Sequence, residues 1–350
     1  MSTESLQEYV FVSRYSRYRA DKQRRETWAE AVDRVLDMHR EHFAARDVDV
    51  DDLLDEVRPV VVERRALGSQ RALQFGGPPI LGKHARLYNC TSSYCDRPRF
   101  FQEALWLLLC GCGVGFSVQR HHIDRLPAID APTGDVRTFA VPDTIEGWAD
   151  ALGVLLSSYF VEDMPFPEYS GHPVQFDFSG IRPRGAPLSS GVGQAPGPDP
   201  LERSLELVRN LLDRCLEEGR TRLRPLDAYD MVMHASDAVL AGGVRRSATI
   251  CIFSPDDDRM AAAKTGNWFA ENPQRARSNN SAMLLRDETS RDDFLRLVQQ
   301  VKEYGEPGFV WADDTETLYN PCVEIGLYPQ LDGQSGWAFC NLTEINMKPV

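Results

Sequence analysis

The strongest constraint on this chain is its rhythm: downstream of residue 98, helix-period and strand-like segments take turns. Residues 99–109, 145–159, 201–216, 227–240 and 291–304 space their apolar positions for one face of a helix. Residues 113–118, 174–178, 247–253 and 308–312 are short runs rich in β-branched and aromatic residues, read as strands. A Gly/Pro/Ser-rich stretch over 180–200 reads as a loop. Such alternation predicts an α/β sheet or barrel with its chemistry on connecting loops. Upstream, residues 26–45 form an amphipathic helix with Trp28, Val32, Val35, Leu36 and Phe43 on one side. The acidic run Asp47 to Asp52 marks a helix start or a solvated turn, and Gly76-Gly77-Pro78-Pro79 a loop. The expected division is a helical N-terminal region, 1–75, and an α/β region, 76–350.

At 350 residues there is room for one large or two ordinary domains. The net charge of −13 argues against general nucleic-acid binding, which needs a basic face. Arginines nevertheless gather beside glycines, in Arg182-Pro183-Arg184-Gly185 and Gly243-Val244-Arg245-Arg246, as suits small anions such as nucleotides. No apolar run approaches the ~18 residues of a membrane span, and Met1-Ser2-Thr3-Glu4 does not open like a secretory signal. A cytoplasmic location is expected, with the eight cysteines kept as thiols.

The chemistry concentrates in Asn320-Pro321-Cys322-Val323-Glu324. In an extended segment, positions i, i+2 and i+4 share a side, so an amide, a thiol and an acid would line one surface. Cys340 follows downstream in Phe339-Cys340-Asn341-Leu342, and Cys90 lies upstream in Leu87-Tyr88-Asn89-Cys90. Read alone, the cluster is equally an Asn-Pro turn beside a buried cysteine. Cys90, Cys95, Cys110 and Cys112 offer four sulfurs for zinc, although the helix between the pairs and the tight C-x-C fit usual knuckles poorly. Gly113 and Gly115 read either as glycines chosen for close backbone approach or as ordinary strand-start glycines.

Asn320–Glu324, followed by Phe339-Cys340-Asn341-Leu342-Thr343-Glu344-Ile345, resembles the finger loop and redox strand of ribonucleotide reductases. Ser13-Arg14-Tyr15-Ser16-Arg17, Arg25-Glu26-Thr27-Trp28, Leu87–Cys90, 107–117, 182–187 and 241–248 are similar, in order, to the adenosylcobalamin-dependent (class II) branch. The resemblance implies the first half of a ten-stranded α/β barrel. It implies that Cys322 becomes a thiyl radical, that Glu324 handles the 3′-hydroxyl proton and that Asn320 holds the ribose hydroxyls. Cys90 and Cys340 would be the redox-active pair, and Asn89 and Gly113 would join Asn320 in binding substrate. Asp96, Arg182, Arg184, Arg245 and Arg246 would belong to effector and specificity loops; no protein ligand set for a metal is expected. Adenosylcobalamin would be the cofactor, and ribonucleoside triphosphates the substrates, with deoxynucleotide effectors. The expected partners are a thioredoxin-like reductant and either a complementary C-terminal half or a second copy, with no nucleic acid or membrane. Ending just past the finger loop, the chain reads as a fragment needing that other half for turnover. The alternative is a catalytically silent nucleotide-binding module with a regulatory or assembly role.

Overall fold

A computed structural model describes residues 3–187, 194–239 and 248–347. The chain divides into two units, 1–89 with 340–350 and 90–339.

The first unit is mostly helical. Its longer helices are α1 (Thr3–Arg14), α2 (Trp28–Ala44) and α3 (Asp51–Val62). A reciprocal capping box starts α2: Thr27 accepts from the Glu30 backbone while the Glu30 carboxylate accepts from the Thr27 backbone. Its buried Val32 and Leu36 pack on Leu54 of α3, with Trp28, Val61 and Val62 closing the cluster. The acidic run ends in a helix start, with Asp51 and Asp52 in the first turn of α3, where they complement the helix dipole. Pro78 and Pro79 do not lie in a loop as expected. They open a short helix, Pro78–Gly82, because the first helical turn needs no proline N–H. Ala66–Leu67 pairs antiparallel with Glu344–Ile345, drawing the C-terminal segment into this unit.

The second unit is built on a six-stranded sheet: β1 (Cys90–Tyr94), β2 (Gly113–Ser117), β3 (Thr249–Phe253), β4 (Ser278–Leu285), β5 (Gly308–Ala312) and β6 (Ala338–Cys340). Their order is β5-β4-β3-β2-β1-β6, and β1 to β5 run parallel. β1, β2 and β3 are buried along their whole length, as expected for a parallel sheet covered on both faces. β1 and β4 escaped the pattern reading because they are rich in Ser, Thr and Asn rather than in alternating apolar residues. Its helices are α4 (Arg99–Cys110), which packs on β2, α5 (Ile145–Tyr159), α6 (Asp199–Glu217) and α7 (Pro225–Val239), which pack with α4 and one another, and α8 (Arg291–Tyr304), which meets β5 through Phe294. α4 stops at Gly111, whose φ of 90° is the left-handed C-cap that turns the chain straight into β2. A parallel pair, Arg137–Ala140 with Val174–Asp177, lies outside the main sheet. The α/β class is as expected. Among the described residues, however, the six strands make an open sheet rather than a closed barrel. No helix among them is long and apolar enough to cross a membrane.

Candidate functional site

The site is organised by the pairing of β1 with β2, where Cys90 stands opposite Gly113, Ser92 opposite Gly115 and Tyr94 opposite Ser117. Alternate residues of a strand point the same way, so these three pairs form a lane along one face. The segment 316–321 runs back along that lane, from the carboxyl ends of the strands to their amino ends. At the start, the Tyr94 hydroxyl donates to the Glu316 carbonyl at 2.7 Å. Midway, a Cβ on Gly115 would fall 2.0 Å from the Tyr319 carbonyl oxygen. At the far end, a Cβ on Gly113 would meet Pro321 Cγ at 3.0 Å and Cys90 Sγ at 3.3 Å. Close approach of the chain's own loop therefore accounts for Gly115, which faces the Tyr319 carbonyl, while Gly113 faces the Pro321 ring and the Cys90 thiol. Leu318, fully buried among Tyr94, Ile250, Ile252, Met283 and Val310, pins the segment to the sheet. That burial contributes about 2 kcal/mol.

Beyond the lane the chain turns. Pro321 to Ile325 form a tight turn between the antiparallel pairs Leu318–Tyr319 and Gly326–Leu327. The extended conformation expected for 320–324 is not adopted, because Asn320 bonds its own neighbourhood instead. Its amide donates to Glu324 Oε1 at 2.6 Å, its Oδ1 accepts from the Ile325 N–H at 3.1 Å, and its carbonyl accepts from the Val323 N–H at 2.8 Å. Val323 sits at φ 65°, in the left-handed region. Asn320 is consequently buried, while Cys322 and Glu324 are exposed at the tip. The three polar groups still share one small turn, held by the amide rather than by strand alternation.

The opposite end of the lane holds groups that the sequence reading passed over. His121 Nε2 lies 2.8 Å from Glu316 Oε1, and His122 Nε2 lies 3.3 Å from Glu316 Oε2. His122 is fully buried, stacks on Tyr94 with ring centroids 4.1 Å apart, and has Nδ1 2.8 Å from Ser117 Oγ. Burial, with His121 adjacent, lowers the His122 pKa to about 4, so its imidazole is neutral. Burial would raise the Glu316 carboxyl, but the two imidazoles outweigh it and hold the pKa below the usual range. Two adjacent histidines just past the carboxyl end of a buried strand were a legible signal, since that edge of a parallel sheet is where ligands gather.

The remaining expected residues fall in several places. Cys90 is buried at the amino end of β1, and Cys340 is buried at the end of β6. Asn89 Oδ1 accepts from Ser69 Oγ at 2.9 Å and from the Leu342 N–H at 3.4 Å. Asp96 is buried, bonded by Ser335 Oγ and paired with Arg97 at 3.1 Å and Arg125 at 3.5 Å. Arg182 pairs with Asp143 at 2.6 Å and donates to the Pro187 carbonyl at 3.1 Å; Arg184 is exposed. Arg245 and Arg246 lie outside the described residues. Among the described residues, one group of His, Cys, Asp and Glu is close enough to share a cation, His121, His122 and Glu316, and no cysteine belongs to it.

Residues 117–212 match the family model of the B12-dependent ribonucleotide reductase insertion domain. The chain is 25% identical over 411 residues to an adenosylcobalamin-dependent ribonucleoside-triphosphate reductase of Levilactobacillus brevis, covering 95% of this chain and 53% of that one. It is 28% identical over 316 residues to the like-named protein of Lactobacillus leichmannii, covering 77% of this chain and 39% of that one. Its fold matches a crystal structure of a B12-dependent (class II) ribonucleotide reductase with a TM-score of 0.77. That match has 23% identity and covers 91% of this chain and 53% of that one. The resemblance to class II ribonucleotide reductases read from the motifs therefore extends along most of the sequence, and the chain spans about half the length of the first of these relatives.

Proposed function

We propose that this chain carries the thiol and loop machinery of an adenosylcobalamin-dependent ribonucleoside-triphosphate reductase, converting ribonucleotides to 2′-deoxyribonucleotides. The observation supporting this reading is that Pro321 of the Asn320–Glu324 turn lies over Gly113 beside the Cys90 thiol, with the preceding Tyr319 carbonyl against Gly115. The six-stranded sheet is, on this reading, the first part of the reductase barrel. Because the chain spans about half the length of the Levilactobacillus relative, turnover is proposed for this chain together with a polypeptide supplying the remainder.

Bound adenosylcobalamin would supply the radical equivalent by homolysis of its cobalt–carbon bond. The exposed position of Cys322 suits a thiol that a bulky group must reach from outside the sheet. Cys322, as a thiyl, takes the hydrogen from C3′ of the ribose. Glu324 accepts the 3′-hydroxyl proton and returns it to O3′ once the sugar is reduced, and the 2′-hydroxyl leaves as water with a proton from the thiol pair. Cys90 and Cys340 give two electrons and two protons in all and close to a disulfide, and Cys322 returns its hydrogen to C3′. Asn320 keeps the Glu324 carboxylate within 2.6 Å of its amide, so the base is oriented before substrate arrives. A thioredoxin-like dithiol would reopen the disulfide, in a cytoplasmic setting that keeps such pairs reduced.

The test is reduction of a ribonucleoside triphosphate by the chain with the complementary polypeptide, adenosylcobalamin and a dithiol. Cys322→Ser is expected to remove activity by at least about three orders of magnitude, as loss of an essential reacting group does. Unchanged turnover in that variant sinks the mechanism. Nucleotide binding with no turnover under any combination would favour the silent binding module.

A further inference from the structure

We propose that His121, His122 and Glu316 form a binding site for one divalent transition-metal cation, with Zn²⁺ the best-matched ion, at the base of the loop that carries Cys322. Two imidazoles and a carboxylate make up a three-ligand zinc set that leaves a fourth position open. The donor atoms of all three lie within 4.8 Å of one another. In a tetrahedral site with bonds near 2.0–2.1 Å, donor atoms sit roughly 3.3 Å apart. The observed N···O separations, 2.8 Å to Oε1 and 3.3 Å to Oε2, are at or just below that spacing, so small side-chain shifts would admit a cation.

The surroundings supply what a metal site needs beyond its ligands. A ligating imidazole requires its second nitrogen to be held, and Ser117 Oγ stands 2.8 Å from His122 Nδ1. Without a cation, Ser117 Oγ accepts from the Gln119 backbone at 3.2 Å and from Gln119 Nε2 at 3.1 Å. Its proton then points to Nδ1, leaving the His122 Nε2–H facing Glu316. Gln119 Nε2 has a second acceptor, the Thr315 carbonyl at 2.8 Å. Ser117 can therefore release it and accept from Nδ1–H, freeing Nε2 for a metal. Tyr94 stacked on His122 keeps the ring in plane during that exchange.

There is also an entry path. His121, Gln119 and Thr315 line a cleft of about 340 Å³ whose other walls include Asp256, Glu288 and Asp293. The cleft lies where β2, β3, β4 and β5 end, and its three carboxylates outnumber its one arginine, Arg296, so it favours a cation over an anion. The open fourth position would face it.

Titration of the purified chain with Zn²⁺ by calorimetry, and with Co²⁺ followed by visible absorbance, tests the site without relying on enzyme activity. One equivalent is expected to bind. His121→Gln is the first variant because that side chain is 39% exposed, so the fold is retained, as circular dichroism will confirm. It should bind at least about tenfold more weakly, and Glu316→Gln more weakly still. Absence of a stoichiometric equivalent in the unaltered chain, or equal binding by His121→Gln, overturns the proposal. Loss of binding in Cys90→Ser or Cys322→Ser with His121→Gln unaffected assigns the ion to thiols and also overturns it.

Discussion

The two ends of the β1–β2 lane solve opposite problems with the same pairing of strands. At the amino end, Cys90 and Gly113 leave room, and the chain uses it to present Cys322 and Glu324 on an exposed turn. At the carboxyl end, Tyr94 and His122 hydrogen-bond Glu316 at partly buried positions, with Ser117 holding the other nitrogen of His122. One strand pair thus gives a fixed base and an accessible tip to a single loop. Exposure sits where side chains are small, and burial with hydrogen bonding where the aromatic ring and imidazole pack.

The widest contrast should appear in thiol chemistry. Cys95 follows Tyr94 at the closed end, where burial pushes its pKa well above the usual thiol value; the Cys251 thiol on β3 is raised by the same cause. A raised pKa keeps a group protonated to higher pH, so neither forms thiolate across pH 7–9 in the folded chain, and both are buried while Cys322 is exposed to reagent. Iodoacetamide at pH 8, read by peptide mass spectrometry, should modify Cys322 orders of magnitude faster than Cys95 or Cys251. Comparable rates would mean that the closed end is not closed.

Gly115→Ala is the sharpest test of the lane itself. Its new methyl would lie 2.0 Å from the Tyr319 carbonyl, a backbone atom that has to move. A loss of about 3 kcal/mol is expected in urea unfolding, at the upper end of overpacking costs. Glu316→Gln turns one of the two oxygens that face the histidines into an amide donor and removes the charge, and should cost roughly 1–2 kcal/mol. Tyr94→Phe removes one bond to the Glu316 carbonyl, for about 1 kcal/mol. Gly113→Ala meets a proline ring and a thiol, which can yield, at 3.0 and 3.3 Å, and should cost less than Gly115→Ala. If the two glycine variants are equally damaging, the loop is not held where its carbonyl meets β2.

Much of the architecture was legible from pattern. Helices α5 and α8 stand where helical periodicity placed them, and β5 where a short apolar run after Gly305 did. β1 was not legible, because Cys90-Thr91-Ser92-Ser93-Tyr94 carries no apolar alternation and is a strand only through its place in the sheet. The residues of the turn are legible in the sequence, but its fold is not. Nothing local in Asn320–Glu324 distinguishes an extended run from a turn until the Asn320 side chain finds Ile325 and Glu324.

By itself the sequence determined the alternation of elements, the residues of the Asn320–Glu324 turn, and a motif order that resembles class II reductases, since these depend on spacing along the backbone. Only the tertiary structure decided what Gly113 and Gly115 make room for, which polar groups are buried, and that Glu316 meets two histidines nearly two hundred positions earlier. Those are contacts between segments distant in the chain, and their energies come from burial and hydrogen bonding that exist only once the sheet has formed.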